Sequence, residues 1–378
     1  MKKTIYIIIA SCTLCACTKF LDIKPYGETI PETAEEFSAL LHSHLEDIDE
    51  GEETIAGNIN SSLDVECYAD NLEANLTSDQ AARFLSLYVG SYISNKQLLY
   101  RNLYSVIRDC NIVIENIEEK ESRLAKDVLG TAYAMRGICY YNLLRNFCEP
   151  CYNNLSGLGV PLVVHFDMEA TPKRSTIEQT VRRIEDDFKA AISYDITDPV
   201  YRFNSDIMEG WLARLYFWAG DYGQAAVYAE KVLAKYPLLN REAFNTMMGS
   251  LYTKTPVTEM LFKSCIQSGN SQDYNAYISN IKGRPVSARF VKLFEEKEKD
   301  IRYVISFNKK RENIKNPYSC LRSGEMQLIL AESLYHQGKG SDALSALNEL
   351  RRNRISEYTD LTMETLPSAV PGLITTDV

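Results

Sequence analysis

Apolar residues recur along this chain at steps of three and four in one segment after another, and that rhythm points to a helical fold more strongly than any other feature. Leu103, Ile107, Cys110, Ile114 and Ile117 form one series, and Val128, Ala132, Met135, Cys139, Leu143 and Phe147 form the next. Residues at these steps share one helix face, so each segment predicts an amphipathic helix with a single buried stripe. Ile177, Val181, Ile184, Phe188 and Ala191 repeat the spacing after Ser175-Thr176-Ile177-Glu178, which reads as a capping box satisfying free amides at a helix start. Trp211, Leu215 and Trp218 then stripe a further helix, Gly220-Asp221-Tyr222 supplies its turn, and Ala225, Ala229, Val232 and Leu233 stripe the returning one. Trp211 and Trp218, the only 2 tryptophans, fall on one helix face, a spacing that predicts both in the core.

The last of these pairs follows the tetratricopeptide pattern. Leu212, Ala213, Tyr216, Ala225 and Pro237 stand at the offsets where that repeat has a leucine, a small residue, a tyrosine, a small crossing residue and a closing proline. Small residues let two antiparallel helices approach closely, and large ones fill the groove between them. A further copy runs from Gln327 to Arg354, with Leu330, Ala331, Leu334, Ala343, Leu347 and Leu350 at equivalent offsets. Between the pairs lie long irregular segments, chiefly residues 46–80, 148–174 and 238–290, rich in Gly, Asn, Ser, Pro and Tyr. A regular solenoid does not tolerate so much inserted chain, so these segments are where function is expected.

The chemistry-bearing patterns of common enzymes are missing: the sequence has no G-x-S-x-G elbow, H-E-x-x-H helix, Walker loop or G-x-G-x-x-G turn. A formal net charge of −10 argues against a nucleic-acid partner, because phosphate binding needs a basic face. The acidic stretches Glu46 to Glu53 and Glu295 to Asp300 read as solvated charge; the first has Glu52 where a calcium loop needs glycine, and the second reads as an exposed helix face. Of the 10 cysteines, Cys12, Cys15 and Cys17 lie near the N-terminus, and the remaining odd number cannot all pair. Cys148-Glu-Pro-Cys151 reads as plain thiols or a local disulfide. Zinc would need a second ligand pair, which the 4 histidines (His42, His44, His165 and His336) do not supply at suitable spacing. No metal, cofactor or catalytic residue is expected.

The N-terminus carries an export signal: Lys2 and Lys3, an apolar run from Ile5 to Leu14 too short to anchor in a bilayer, then Leu14-Cys15-Ala16-Cys17. Leu, Ala and Cys at these positions resemble the lipobox of bacterial lipoproteins, which makes Cys17 the expected lipidation site, acylated after cleavage. The expected organisation is therefore a lipoprotein signal peptide over 1–16 and one α-helical domain over 17–378. Its roughly 360 residues are enough to bury a substantial core.

The sequence around Cys17 also carries a family resemblance. Cys17-Thr-Lys-Phe20-Leu21-Asp22-Ile23-Lys24-Pro25 resembles the opening of SusD/RagB-type lipoproteins. Further blocks agree in order. Tyr104-x-x-Ile107-x-x-x-Asn111 is similar to the family's Tyr-x-x-Ile-x-x-x-Asn helix, and Ala134-Met-Arg136 through Tyr140 and Leu143 to its "LRA-x-x-Y-x-x-L" helix, which leads to Gly159-Val-Pro161-Leu162. Trp211-Leu-Ala213-Arg214-Leu-Tyr216 resembles its central repeat; Arg322-x-x-Glu325 with Leu328 to Glu332, and Leu347-Asn348-x-Leu350-Arg351-x-x-Arg354, resemble its last. The resemblance implies an all-α fold of four tetratricopeptide-like units with long irregular loop insertions that form a glycan-binding face. It implies a non-enzymatic, outward-facing lipoprotein of the outer membrane that captures oligosaccharides or other nutrient oligomers for uptake by a SusC-like TonB-dependent transporter.

After Arg354 the family pattern continues into an E-R-x-x-E-L helix, whereas Leu361 to Val378 offers Pro367, Pro371 and Gly372. The closing C-terminal helix is therefore expected to be missing, whether in a short member or in a truncated or frame-shifted product. Leu344, Leu347 and Leu350 would then be left as an uncovered stripe. With both tryptophans assigned to the core, sugar stacking falls to tyrosines in polar segments. Tyr68, Tyr274 and Tyr277 are the candidate ligand-binding residues, each beside amide or carboxylate side chains. The alternative is a lipid-anchored tetratricopeptide adaptor for a protein or peptide, which a solenoid without such inserts would favour.

Overall fold

The computed structural model describes residues 31–50, 55, 72, 97–151, 154–165, 167, 169–249, 259–263, 285–314 and 320–366. Its framework is a stack of helices: α1 (Ala34–Glu50), α2 (Gln97–Asn116), α3 (Arg123–Phe147), α4 (Ile177–Tyr194), α5 (Ser205–Ala219) and α6 (Tyr222–Lys235). Three shorter helices follow, α7 (Arg241–Gly249), α8 (Ala288–Val291) and α9 (Ile301–Ser306). Then come α10 (Ser323–His336) and α11 (Gly340–Arg352). Each helix from α2 to α5 packs on the next, α10 packs on α6 although residues 236–322 intervene, and α11 closes on α10. Two small antiparallel ladders accompany them. β1 (Leu158–Pro161) pairs with β2 (Arg174–Thr176), and β3 (Met260–Lys263) with β4 (Cys320–Arg322). The fold is the helical one that the periodicity predicts.

The predicted stripes are the core. Leu103, Ile107, Cys110, Val128, Met135, Cys139, Ile184, Phe188, Leu212, Ala225 and Ala229 are all buried in one continuous apolar cluster that runs from Phe37 on α1 to Met326 and Ile329 on α10. The tetratricopeptide turn between α5 and α6 forms because Gly220 takes a left-handed conformation (φ 80°), in which a side chain would be strained. Its N–H donates to Phe217 O and that of Asp221 to Tyr216 O, closing the helix. Asp221 Oδ1 then accepts from Gln224 N at 3.1 Å and opens the next helix.

Several expectations need correction. Trp218 is 38% exposed while Trp211 is 4% exposed, although both lie on the same angular stripe. Trp218 sits in the last turn of α5, one residue before the helix ends, and the neighbouring helices cover it only in part there. The capping box is displaced by one residue. Thr176 Oγ1 accepts from Gln179 N and Gln179 Oε1 accepts from Thr176 N, while Ser175 Oγ instead donates across the ladder to Val160 O at 2.7 Å. The segments read as irregular hold order of their own: α1 extends to Glu50, β1 lies in the second, and α7 and β3 lie in the third.

The stripe on α11 is not left bare. Leu350 is buried, Leu344 and Leu347 are half-buried, and residues 355–361 fold back beside the helix. The Asn348 side chain makes that return: Oδ1 accepts from Leu361 N and Nδ2 donates to Leu361 O, each at 2.9 Å, and Tyr358 Oη also donates to Oδ1.

Candidate ligand-binding face

The residue blocks singled out in the sequence turn out to hold the inserts in place. Between α3 and α4 the chain leaves the stack and returns through the β1–β2 hairpin. Tyr104 on α2 donates to Pro161 O at 2.8 Å, and Asn111 Nδ2 to Val163 O at 2.9 Å. Tyr140 on α3 donates to Val163 O and accepts from Val163 N. Burial pushes the hydroxyl pKa values of Tyr104 and Tyr140 upward, so both stay protonated and able to donate. Asn111 is itself fixed by Arg136, whose Nη1 donates to Asn111 Oδ1 at 2.8 Å. The rest of that guanidinium forms a fork with Asp187 at 2.9 and 2.7 Å, all of it buried. Gly159 lies against α4 so closely that a Cβ there would overlap Thr176 O and Thr180 Oγ1.

A second set of motif residues ties the last repeat to the third. Arg214 forms a fork with Glu325, its Nη2 donating to Oε2 at 2.5 Å, while its guanidinium lies 4.7 Å from the Trp211 ring centre. Arg354 forms a buried ion pair with Glu259 just before β3, and its Nη1 donates to Leu239 O at 2.9 Å. The other Glu259 oxygen accepts from Leu239 N, and the Arg354 guanidinium lies 3.9 Å from the Phe244 ring centre. Arg136, Asn111, Tyr140 and Arg354 are thus positioning residues that hold the inserts, and the Arg214–Glu325 pair joins α5 to α10.

The candidate residues Cys17, Tyr68, Tyr274 and Tyr277 lie outside the described residues. One contact does bear on the segments that carry three of them. Leu72 pairs in antiparallel fashion with Val286, so the insert between α1 and α2 meets the insert between α6 and α10. Beside this bridge, Pro285 pairs with Glu312, and Phe290, Phe294, Tyr303 and Phe307 form an edge-to-face cluster with centroids 4.7 to 6.2 Å apart. Phe307 is buried, while Phe290, Phe294 and Tyr303 are half-buried. The local signal of this cluster is the pair of i, i+4 aromatic spacings, Phe290/Phe294 and Tyr303/Phe307.

The acidic stretches behave differently from each other. Glu46 and Asp47 are exposed on α1, as expected. The second stretch is not a solvated helix face: it is a turn followed by a short 3-10 segment, Lys297–Lys299. Within it Glu296 pairs with Arg351, and Asp300 is buried, capping α9 through Arg302 N at 2.9 Å. Among the described residues no three potential metal ligands cluster. Cys148 and Cys151 are free thiols, and burial with the neighbouring Cys148 pushes Cys151 up to about 11, so it is not a ready thiolate. No described helix is long and apolar enough to cross a membrane.

Comparisons with known proteins agree with this architecture. Residues 19–217 match the SusD-like family described as starch-binding and associating with the outer membrane. No curated protein matches. Among solved structures, a SusD superfamily protein from Bacteroides thetaiotaomicron VPI-5482 superposes with a TM-score of 0.69 at 20% identity, over 88% of this chain and 83% of that one. A SusD-like carbohydrate binding protein from Bacteroides vulgatus ATCC 8482 gives 0.67 at 18% identity, over 88% and 78%. A laminarin binding SusD-like protein gives 0.59 at 14% identity, over 85% and 83%. At these identities the likeness is one of fold.

Proposed function

The chain belongs to the SusD-like family of outer-membrane-associated, carbohydrate-binding proteins, and on that premise we propose that it captures an oligosaccharide at the cell surface and hands it, unhydrolysed, to a SusC-like TonB-dependent transporter. The observation that carries this reading is the Leu72–Val286 bridge. It joins two inserts whose sequences place Tyr68 shortly before Leu72 and Tyr277 shortly before Val286. Two segments whose sequences carry tyrosine and amide side chains, tied together at Leu72 and Val286, suit a sugar chain that needs flat rings to stack on and polar groups to orient its hydroxyls. The lipobox-like run before Cys17 supports a lipid anchor at that residue, which would hold the capture face at the membrane without a spanning helix.

Calorimetry of the purified protein against starch- and laminarin-type oligosaccharides tests the capture step. Saturable binding with no reducing ends released on long incubation is expected, and Tyr274→Ala with Tyr277→Ala should weaken it by about 1 to 3 kcal/mol per lost stacking contact. Turnover of any bound glycan, or no binding across the panel, rejects the proposal. For the anchor, Cys17→Ala should abolish palmitate labelling and release the protein from the membrane fraction; unchanged labelling rejects that part alone.

A further inference from the structure

At the end of the stack where α5 turns into α6 and α10 into α11, aromatic rings form an unbroken row. Trp218 meets Phe217 edge-on at 6.3 Å, and Phe217 meets Tyr222 at 6.0 Å. Tyr222 lies flat against His336 across the repeat boundary, with centroids 4.0 Å apart and planes 11° apart, and His336 meets Tyr335 at 5.8 Å. Trp218 is 38% and Tyr335 69% exposed at the two ends of the row, His336 between them is exposed as well, and Phe217 and Tyr222 are half-buried. Large rings left in water on helix ends are an informative departure from ordinary burial.

We propose that this row is a second carbohydrate-stacking site, separate from the inserts, that binds a linear oligosaccharide along the turns of the third and fourth repeats. The proposal rests on the glycan-capture reading and extends it to a part of the molecule that reading does not use. Three observations support a sugar as the occupant. First, one open ring is backed by the frame: the Arg145 guanidinium from α3 lies 5.2 Å from the Trp218 ring centre and 5.5 Å from that of Tyr141, supporting Trp218 from one side. A preorganised ring loses little entropy when a sugar face settles on it. Second, the ring contacts bridge repeats that are distant in sequence, so the row suits an extended chain of repeating units better than a single residue. Third, polar groups alternate with the rings. Gln337 donates to Tyr222 O at 3.0 Å, Lys339 donates to the Gln337 side-chain oxygen at 2.9 Å, and Glu332 stands 3.8 Å from the His336 ring nitrogen. A protein-docking face would be expected to add aliphatic residues instead, and neither Trp218 nor Tyr335 has an exposed large aliphatic neighbour in sequence within its own helix.

The 2 tryptophans provide the test, because one is buried and the other open. Iodide quenching of tryptophan emission in the full chain reports on Trp218, and Trp218→Phe identifies its share. The purified protein is titrated with maltoheptaose and, separately, with laminarihexaose, following quenching together with calorimetry. The proposal expects a bound glycan to cut the Trp218 quenching constant at least twofold. It also expects Trp218→Ala with Tyr335→Ala to weaken or abolish one calorimetric binding event, by roughly fivefold or more for a lost stacking contact, while the melting temperature stays within a few degrees. Glycan binding with unchanged quenching and unchanged affinity in the double variant overturns this site, leaves the row to a protein contact, and leaves capture by the inserts standing. Binding that Tyr274→Ala and Tyr277→Ala abolish completely, with no residual effect at Trp218, has the same meaning. Failure of both glycans to bind the intact chain overturns this site together with the reading on which it rests.

Discussion

The insert between α3 and α4 and the insert between α6 and α10 are held to the same stack in different ways. The first sends Cys151 and Val160 into the main core and is also pinned from beneath, by Tyr104, Asn111 and Tyr140 reaching from the helices to the carbonyls of residues 161 and 163. The second joins the main core through β3, where Leu261 and Phe262 are buried and Phe262 stacks on Phe203 at 5.5 Å. Among the described residues it also has an apolar cluster of its own, Phe244, Met247, Met260 and Ile301, and it is tied back by the Arg354–Glu259 pair. A loop pinned by the frame takes the stability of the frame. A loop with its own small core can open while the frame stays folded.

The largest expected effects test that contrast directly. Arg136→Ala leaves Asp187 buried beside Arg183 alone and removes the support of Asn111, so it should cost about 3 to 5 kcal/mol in urea denaturation of the whole chain. Arg354→Ala also strips a buried carboxylate of its partner, but its cost should fall on the second insert. Amide exchange should rise across residues 239–249 and 285–314, with a smaller change in the global midpoint than Arg136→Ala produces. Equal loss of global stability in the two variants, with uniform exchange, would show that the second insert folds as one unit with the frame and would break the comparison.

A smaller effect sharpens it. Gly159→Ala puts a methyl group against Thr176 O and Thr180 Oγ1, which should cost about 1 to 3 kcal/mol because the hairpin has no freedom to move away from α4. Thr180→Ala should not rescue the variant, since the carbonyl of Thr176 remains in the way. Full rescue in the double variant, measured by the same denaturation, would mean that the hairpin is looser than its hydrogen bonds imply.

Much of the frame was legible in the sequence because helical stripes and repeat offsets are local patterns, and the residues of those stripes are the buried ones. The stripe failed at Trp218, where angular position says inward but the neighbouring helices cover the ring only in part, Arg145 of α3 lying over one side of it. Periodicity carries the direction of a side chain and not the extent of its neighbours. The roles of Asn111, Arg136 and Arg354 were visible only as motif letters, since their partners Val163, Asp187 and Glu259 lie far along the chain and nothing in their spacing announces the pairing. The aromatic row from Trp218 to Tyr335 was hidden for the same reason: it forms only when α10 packs on α6 across the intervening insert. The candidates Tyr68, Tyr274 and Tyr277 were chosen from local composition, which does not dictate how inserted segments fold.

The edge of the stack offers the last test. α1 is joined to α2 through His44, whose Nε2 is 3.1 Å from Asp109 Oδ2, while Arg108 reaches Asp109 Oδ1 at 2.7 Å from the same helix. Burial works against ionising Asp109, but the hydrogen bonds from His44 and Arg108 outweigh it and hold the carboxyl below its ordinary value. A carboxyl whose folded pKa is lowered stabilises the fold above its unfolded pKa of about 3.9, and that contribution disappears as pH falls through the folded value. Asp109→Asn should therefore cost about 1 to 2 kcal/mol near pH 6, since it removes the charge from the hydrogen bonds that the buried carboxylate shares with His44 and Arg108. The gap between wild type and variant should close as the pH drops below 4. Unlike the Arg136 variant, it should loosen α1 while leaving the hairpin at residues 158–163 protected from exchange. A constant gap from pH 6 to pH 3 would show that Asp109 acts through shape and not charge, and exchange spreading to the hairpin would show that the edge helix and the pinned insert share one cooperative unit.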